Sequence, residues 1–96
     1  MAGNDLLARV DSLLRERVAA THVEIIDESH LHAGHAGARG GGRHLRVLVV
    51  SPAFEGKAPL ARHRLVNAAL EVELRGEIHA LALETRSPSE ARPSGK

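Results

Sequence analysis

The chain has 96 residues, room for one domain with one modest core. Its 43% apolar and 26% charged residues are the composition of a globular rather than a disordered protein, and with Phe54 as the one aromatic the core must be built from Leu, Val, Ile and Ala. Lys and Arg outnumber Asp and Glu by 13 to 12, which is not the strongly basic balance of a phosphate-tracking protein, and the absence of cysteine excludes disulfides, thiol nucleophiles and Cys-type zinc sites.

Asn4 or Asp5 has the side chain to cap a first helix. Leu6, Leu7, Val10, Leu13, Leu14 and Val18 then recur at helical spacing with charged residues between them, the pattern of a helix docked on a core. Met1 to Leu14 lacks a basic start followed by a long apolar run, so it reads as this helix and not as a signal peptide. No apolar stretch approaches the roughly 20 residues that span a bilayer. A cytoplasmic location is the resulting expectation.

Val23 to Asp27 reads as a strand. Residues 28–43 carry glycines, histidines and almost nothing apolar, and read as a long mobile loop. Leu45 to Val50 is nearly all apolar and predicts a central strand buried on both faces. Ser51-Pro52 ends it, and Phe54-Glu55-Gly56-Lys57 is a turn. Pro59 suits the first turn of a second helix that runs to about Leu74, with Leu60, Leu65, Val66, Ala69, Leu70 and Leu74 on its buried side and Arg75-Gly76 closing it. Ile78 to Thr85 alternates as a third strand, Ile78, Ala80, Ala82 and Glu84 on one face and His79, Leu81, Leu83 and Thr85 on the other. Ser87-Pro88-Ser89-Glu90 has the composition to start a short last helix. Residues 92–96 read as a disordered tail, which leaves residues 1–91 as one domain. The expected architecture is α+β: helices on one face of a three-stranded mixed sheet, the first two strands antiparallel and the third parallel to one of them, because a helix crosses over between strands two and three.

The seven histidines are the chemical feature. Neutral imidazole ligates zinc, iron, nickel and copper. His30, His32 and His35 lie close enough in sequence for two rings to meet one ion, and His79 completes a site if the third strand opens near the loop. His22, His44 and His63 read as structural or solvated. The serines have no nucleophile setting, and Asp27 and Glu28 sit at a strand end, where neighbours point apart. A catalytic site is therefore not expected. The two Gly-x-x-Gly runs at 34–37 and 37–40 lie between strands, not between helices as in a nucleic-acid-clamping KH loop.

Several segments together resemble the BolA family. Asp27-Glu28-Ser29, the histidine-bearing loop and His44-Leu45-Arg46-Val47 are similar to its first half. Phe54-Glu55-Gly56-Lys57, Arg62-His63-Arg64-Leu65-Val66-Asn67 and Ile78-His79-Ala80-Leu81 are similar to its second. The likeness covers about residues 5–90. It implies an αββαβ fold related to class II KH domains, sometimes with a last helix. It also implies a monothiol glutaredoxin as partner, with a [2Fe–2S] cluster bridged between the two proteins and a glutathione thiol. On this side the implied ligands are His79 and a second residue from the loop, which falls on His32 by position after Asp-Glu-Ser, with His35 as its substitute. A chain without cysteine cannot hold such a cluster alone but can donate two imidazoles, as in Rieske-type ligation. The sequence departs from the family at Leu45, where an aromatic is common, and at Ala91-Arg92, near a frequent Trp.

Three functions compete on this reading. The first is a non-enzymatic cluster-sharing adaptor, monomeric or weakly dimeric when free. The second is a KH-like DNA-binding transcriptional regulator touching phosphate through Lys57, Arg62, Arg64 and Arg75. The third is a stand-alone metal buffer using His30, His32 and His35.

Overall fold

The computed structural model describes residues 2–29 and 43–91, with side chains from Leu6 onward. His30, His32, His35, most of the expected loop and the 92–96 tail lie outside the described residues. In chain order the elements are α1 (Ala2–Arg17), β1 (His22–Asp27), β2 (Arg43–Val50), a 3₁₀ turn (Pro52–Phe54), α2 (Pro59–Ala69), α3 (Glu71–Arg75), β3 (Ile78–Arg86) and α4 (Pro88–Ala91). β2 is the middle strand of the sheet, antiparallel to β1 and parallel to β3. The α+β architecture thus follows the expected order.

One face of the sheet carries the core. Leu45, Val47 and Val49 of β2 are buried together with Leu6, Val10, Leu14 and Val18 of α1 and Val66, Ala69 and Leu70 of α2. Each such Leu or Val side chain contributes roughly 1.5–3 kcal/mol by leaving water. The period-four apolar line of α1 is the line that is buried. On the opposite face Glu24, Ile26, Arg46, Ala80, Ala82 and Glu84 are exposed. β2 is therefore central but not buried on both faces, because the helices cover one side of the sheet only. Its last residues are held by Ser51, fully buried, whose hydroxyl donates to the Val18 carbonyl and accepts from the Ala53 amide.

Other boundaries shift for local reasons. α1 begins at Ala2, so Asn4 and Asp5 lie inside its first turn instead of capping it; element ends are the least determined feature of a periodic pattern. Arg43 opens β2 and Ser29 is tied to it, so both leave the expected loop. The single helix expected over 59–74 bends at Leu70 (φ −108°, ψ 22°). Its buried line still runs through the bend as Val66, Ala69, Leu70 and Glu73. Leu60 and Leu65, expected inside, face solvent, and Arg62 and Glu73 are buried instead. Glu73 is acceptable there because Arg9 of α1 reaches it at 3.3 Å.

α1 ends where Ala19 adopts φ 58°, while the Ala20 amide turns back to the Leu14 carbonyl at 3.1 Å. A left-handed conformation costs an L-residue about 1–2 kcal/mol, and glycine avoids it at some cost in unfolded-state entropy. Ala19→Gly is expected to raise stability by about 0.5–1 kcal/mol, read as a higher urea midpoint with an unchanged slope. An unchanged or lower midpoint would show that Ala19 is not strained.

Candidate metal centre

Parallel pairing of β2 with β3 brings the first residues of both strands to one end of the sheet. The register there is irregular: Arg43 pairs with Ile78, but His44 pairs with Ala80. His79 is the extra residue of a β-bulge. Bulges interrupt the period-two alternation and re-aim a side chain. The effect is visible on both sides of His79. Ile78 is 2% exposed and belongs to the core with Leu81 and Leu83, although simple alternation assigns it to the face of Ala80. His79 itself is turned out to solvent.

His44 comes to His79 from the neighbouring strand. The ring centroids lie 5.2 Å apart with the planes tilted by 47°. Of the four described histidines only these two meet. His22 pairs with Glu24 at the opposite end of the sheet, opposite Val50, and His63 is half-buried in α2. The sequence pattern alone marks His44 as structural or solvated. The signal that finds it is the strand direction: if β2 and β3 run parallel, residues that open each strand are neighbours.

The same corner is where the chain enters and leaves residues 30–42. The Asp27 carboxylate accepts from the Ser29 amide at 2.9 Å, an Asx turn, and is paired with Arg43 across the sheet. The Ser29 hydroxyl accepts from the His44 amide at 3.0 Å, and the Glu28 amide donates to the His44 carbonyl at 2.7 Å. The Arg43 amide reaches the Glu77 carbonyl just before β3. Burial pushes the Asp27 carboxyl up, but hydrogen bonds from Ser29 and Arg43 outweigh it and hold the group at about 2. The Asp-Glu-Ser run therefore fastens the root of the histidine-bearing segment beside His44 and His79. Among the described residues no three His, Asp or Glu side chains converge as a complete metal site.

The four cations named for phosphate contact separate. Arg62 is buried, and its guanidinium forms a bidentate pair with Glu90 of α4 at 2.7 and 3.0 Å. It also donates to the carbonyls of Lys57 and Thr85 and lies 5.8 Å from the centre of the Phe54 ring. It joins α2, β3, α4 and the 3₁₀ turn and has no face left for a phosphate. Arg75 is paired with Glu71 one turn earlier. Lys57 and Arg64 remain on the surface without partners among the described residues, too few for a backbone-tracking row.

Fold and corner together define a small α+β protein with a one-sided mixed sheet and two imidazoles at its open end. A model of the family described as BolA-like protein matches residues 14–90. The chain is 41% identical to BolA-like protein 1 of Homo sapiens over 96 residues, which is 99% of this chain and 70% of that protein. The solved BolA domain of SufE1 and BolA1, both from Arabidopsis thaliana, each match with a TM-score of 0.75 over 88% of this chain. They are 34% and 38% identical and are covered over 93% and 94% of their own length. The chain belongs to the BolA-like family.

α4 depends on the Arg62 node. The Ser87 amide donates to the Glu90 carboxylate and the Glu90 amide to the Ser87 hydroxyl, a reciprocal capping box. The Arg62 hydrogen bond, then that of the Ser87 amide, lowers the Glu90 carboxyl from its ordinary 4.5 to about 2. A depressed carboxylate stabilises fully above its unfolded value, and the effect is lost as pH falls through the folded one. The α4 amide resonances of Ser89 and Ala91 are expected to move toward random-coil positions between pH 4.5 and about 2. Asp27 titrates in the same window, so Glu90→Gln, expected to free α4 at neutral pH, separates the two. An α4 unaffected in that variant would show that the pair is incidental.

Proposed function

We propose that this protein is a non-enzymatic adaptor that shares a [2Fe–2S] cluster with a monothiol glutaredoxin and glutathione, supplying imidazole ligands. One observation carries the reading: His79, the extra residue of the β3 bulge, is exposed beside His44 where the chain enters and leaves the segment bearing His32 and His35.

The donor chemistry fits. A two-iron cluster takes four ligands, normally thiolates, with histidine replacing cysteine on one iron in Rieske centres. A chain with no cysteine offers no thiolate, so the thiolates come from the partner's cysteine and from glutathione. When bound, such a centre supplies one-electron redox chemistry at a potential raised by the neutral ligands. The chain's own residues do the positioning. The bulge turns the His79 ring outward, the His44 ring packs against it, and Asp27, Ser29 and Arg43 anchor the segment's ends at the same corner. His32 follows Ser29 by three residues, a span of at most about 10 Å. It is the second ligand in this reading, with His35 as its substitute. Both imidazoles must be neutral to ligate, so cluster loading weakens in acid. Use of glutathione suits a reducing compartment, and we assign the protein to the cytoplasm.

Mixing the chain with a monothiol glutaredoxin, glutathione, iron and sulfide is expected to give a heterodimer whose visible and electron-spin spectra carry nitrogen ligation. His79→Ala should weaken the nitrogen signature. Joint replacement of His32 and His35 by Ala should weaken it, and either single change should do so less. Spectra identical to wild type in the triple variant would rule out the ligand assignment.

A further inference from the structure

The described residues leave four large hydrophobic side chains exposed, and three of them lie on α2 and α3: Leu60 at 62%, Leu65 at 38% and Val72 at 74%. Single apolar residues on a surface need no explanation. Here the spacing does. Ala61, Leu65, Ala68 and Val72 fall at i, i+4, i+7 and i+11, one line along a helix. The bend at Leu70 does not break the line, because the Leu70 and Leu74 amides keep their helical bonds to the Val66 and Leu70 carbonyls. The same helices already bury a different line, so this second stripe has no use within the described fold.

The charges around the stripe say what kind of surface it meets. Of the described cationic side chains, Lys57 and Arg64 alone make no hydrogen bond or ion pair. Arg64 sits beside Leu65 on α2, and Lys57 lies in the segment just before the helix, three residues ahead of the exposed Leu60. An apolar line edged by unneutralised cations is complementary to an apolar protein surface edged by carboxylates. Duplex DNA would satisfy the cations and leave Leu60, Leu65 and Val72 in water. Anionic membrane binding draws on clusters of about four to eight basic residues. The stripe also ends at the metal corner, since the turn Gly76-Glu77 joins α3 directly to β3 and His79.

We propose that the outward face of α2 and α3 is the docking surface for an acidic-edged apolar patch of the cluster-sharing partner. This rests on the glutaredoxin reading above. The α2–α3 stripe gives affinity and orientation, and the histidines give ligation, so docking does not require the cluster.

The test is titration of the ¹⁵N-labelled chain with apo monothiol glutaredoxin. Shifts are expected at Arg64, Leu65, Ala68 and Val72, with Glu24 and Ala82 of the open sheet face silent. Val72→Asp and Arg64→Glu, both at exposed positions, should each weaken the apo complex about tenfold with unchanged circular dichroism, whereas His79→Ala should leave it within about twofold. A heterodimer that forms with the stripe silent overturns this inference and leaves the cluster-sharing reading standing. No heterodimer, with or without cluster, overturns both. Stripe shifts that appear on concentrating the chain alone, or with anionic vesicles or duplex DNA but not with glutaredoxin, reassign the surface and overturn the proposal.

Discussion

The parallel ladder between β2 and β3 is the constraint on which the rest of this molecule depends. Its direction puts the starts of both strands at one end of the sheet, and so puts His44 beside His79. Its one irregularity, the bulge at His79, lets Ile78 and Leu81 both enter the core while the residue between them and Ala80 turns outward. Without the extra residue, strict alternation would place either Ile78 or Leu81 on the open face, and a domain of this size has few apolar side chains to lose. The core requirement and the exposure of the imidazole therefore have the same local cause.

At the far end of the sheet Arg62 has the corresponding structural role. It is nearly buried, yet every direction of its guanidinium is engaged: a carboxylate, two carbonyls and the face of Phe54. Arginine suits this because its planar fork makes several fixed bonds at once and stays charged at all relevant pH, which lysine cannot reproduce. The node also explains how α4, only four residues long, persists: a helix of one turn is unstable alone and needs tertiary contacts. Ser87 and Glu90 close the cap while Arg62 holds the carboxylate that forms it.

Much of this was legible in the sequence, and the failures have physical reasons. α1 was readable because four buried residues repeat every fourth position with charges between. The antiparallel β1–β2 pair and a parallel third strand followed from the connections, which left open which strand β3 joins, and α4 followed from Ser87-Pro88-Ser89-Glu90. The bulge was not readable, because one inserted residue changes the facing of a single position in a strand that otherwise alternates. Leu60 and Leu65 were misassigned because α2 carries two apolar lines and the pattern does not say which one the core takes. Arg62 decides between them, but its carboxylate partner lies 28 residues away, and no local window contains both. His44 was passed over for the same reason: its neighbour is set by register, not by sequence distance.

The two uncovered surfaces of the protein differ in a way that bears on how it meets a partner. On the open sheet face the polar groups are already partnered: Arg46 with Glu28, Arg86 with Glu84, and the His22 ring hydrogen-bonded to Glu24. A partner docking there would have to break pairs that already exist and desolvate the groups it separated, with little net gain. Lys57 ahead of α2 and Arg64 on it are uncommitted, and Leu65 and Val72 of the outer face of α2 and α3 are already exposed. Covering that face removes apolar area from water, and the ion pair beside the stripe is the exposed Glu71–Arg75 pair within α3. The fold thus keeps its self-satisfied surface away from the helices and leaves its unsatisfied one leading to the corner where His44 and His79 meet.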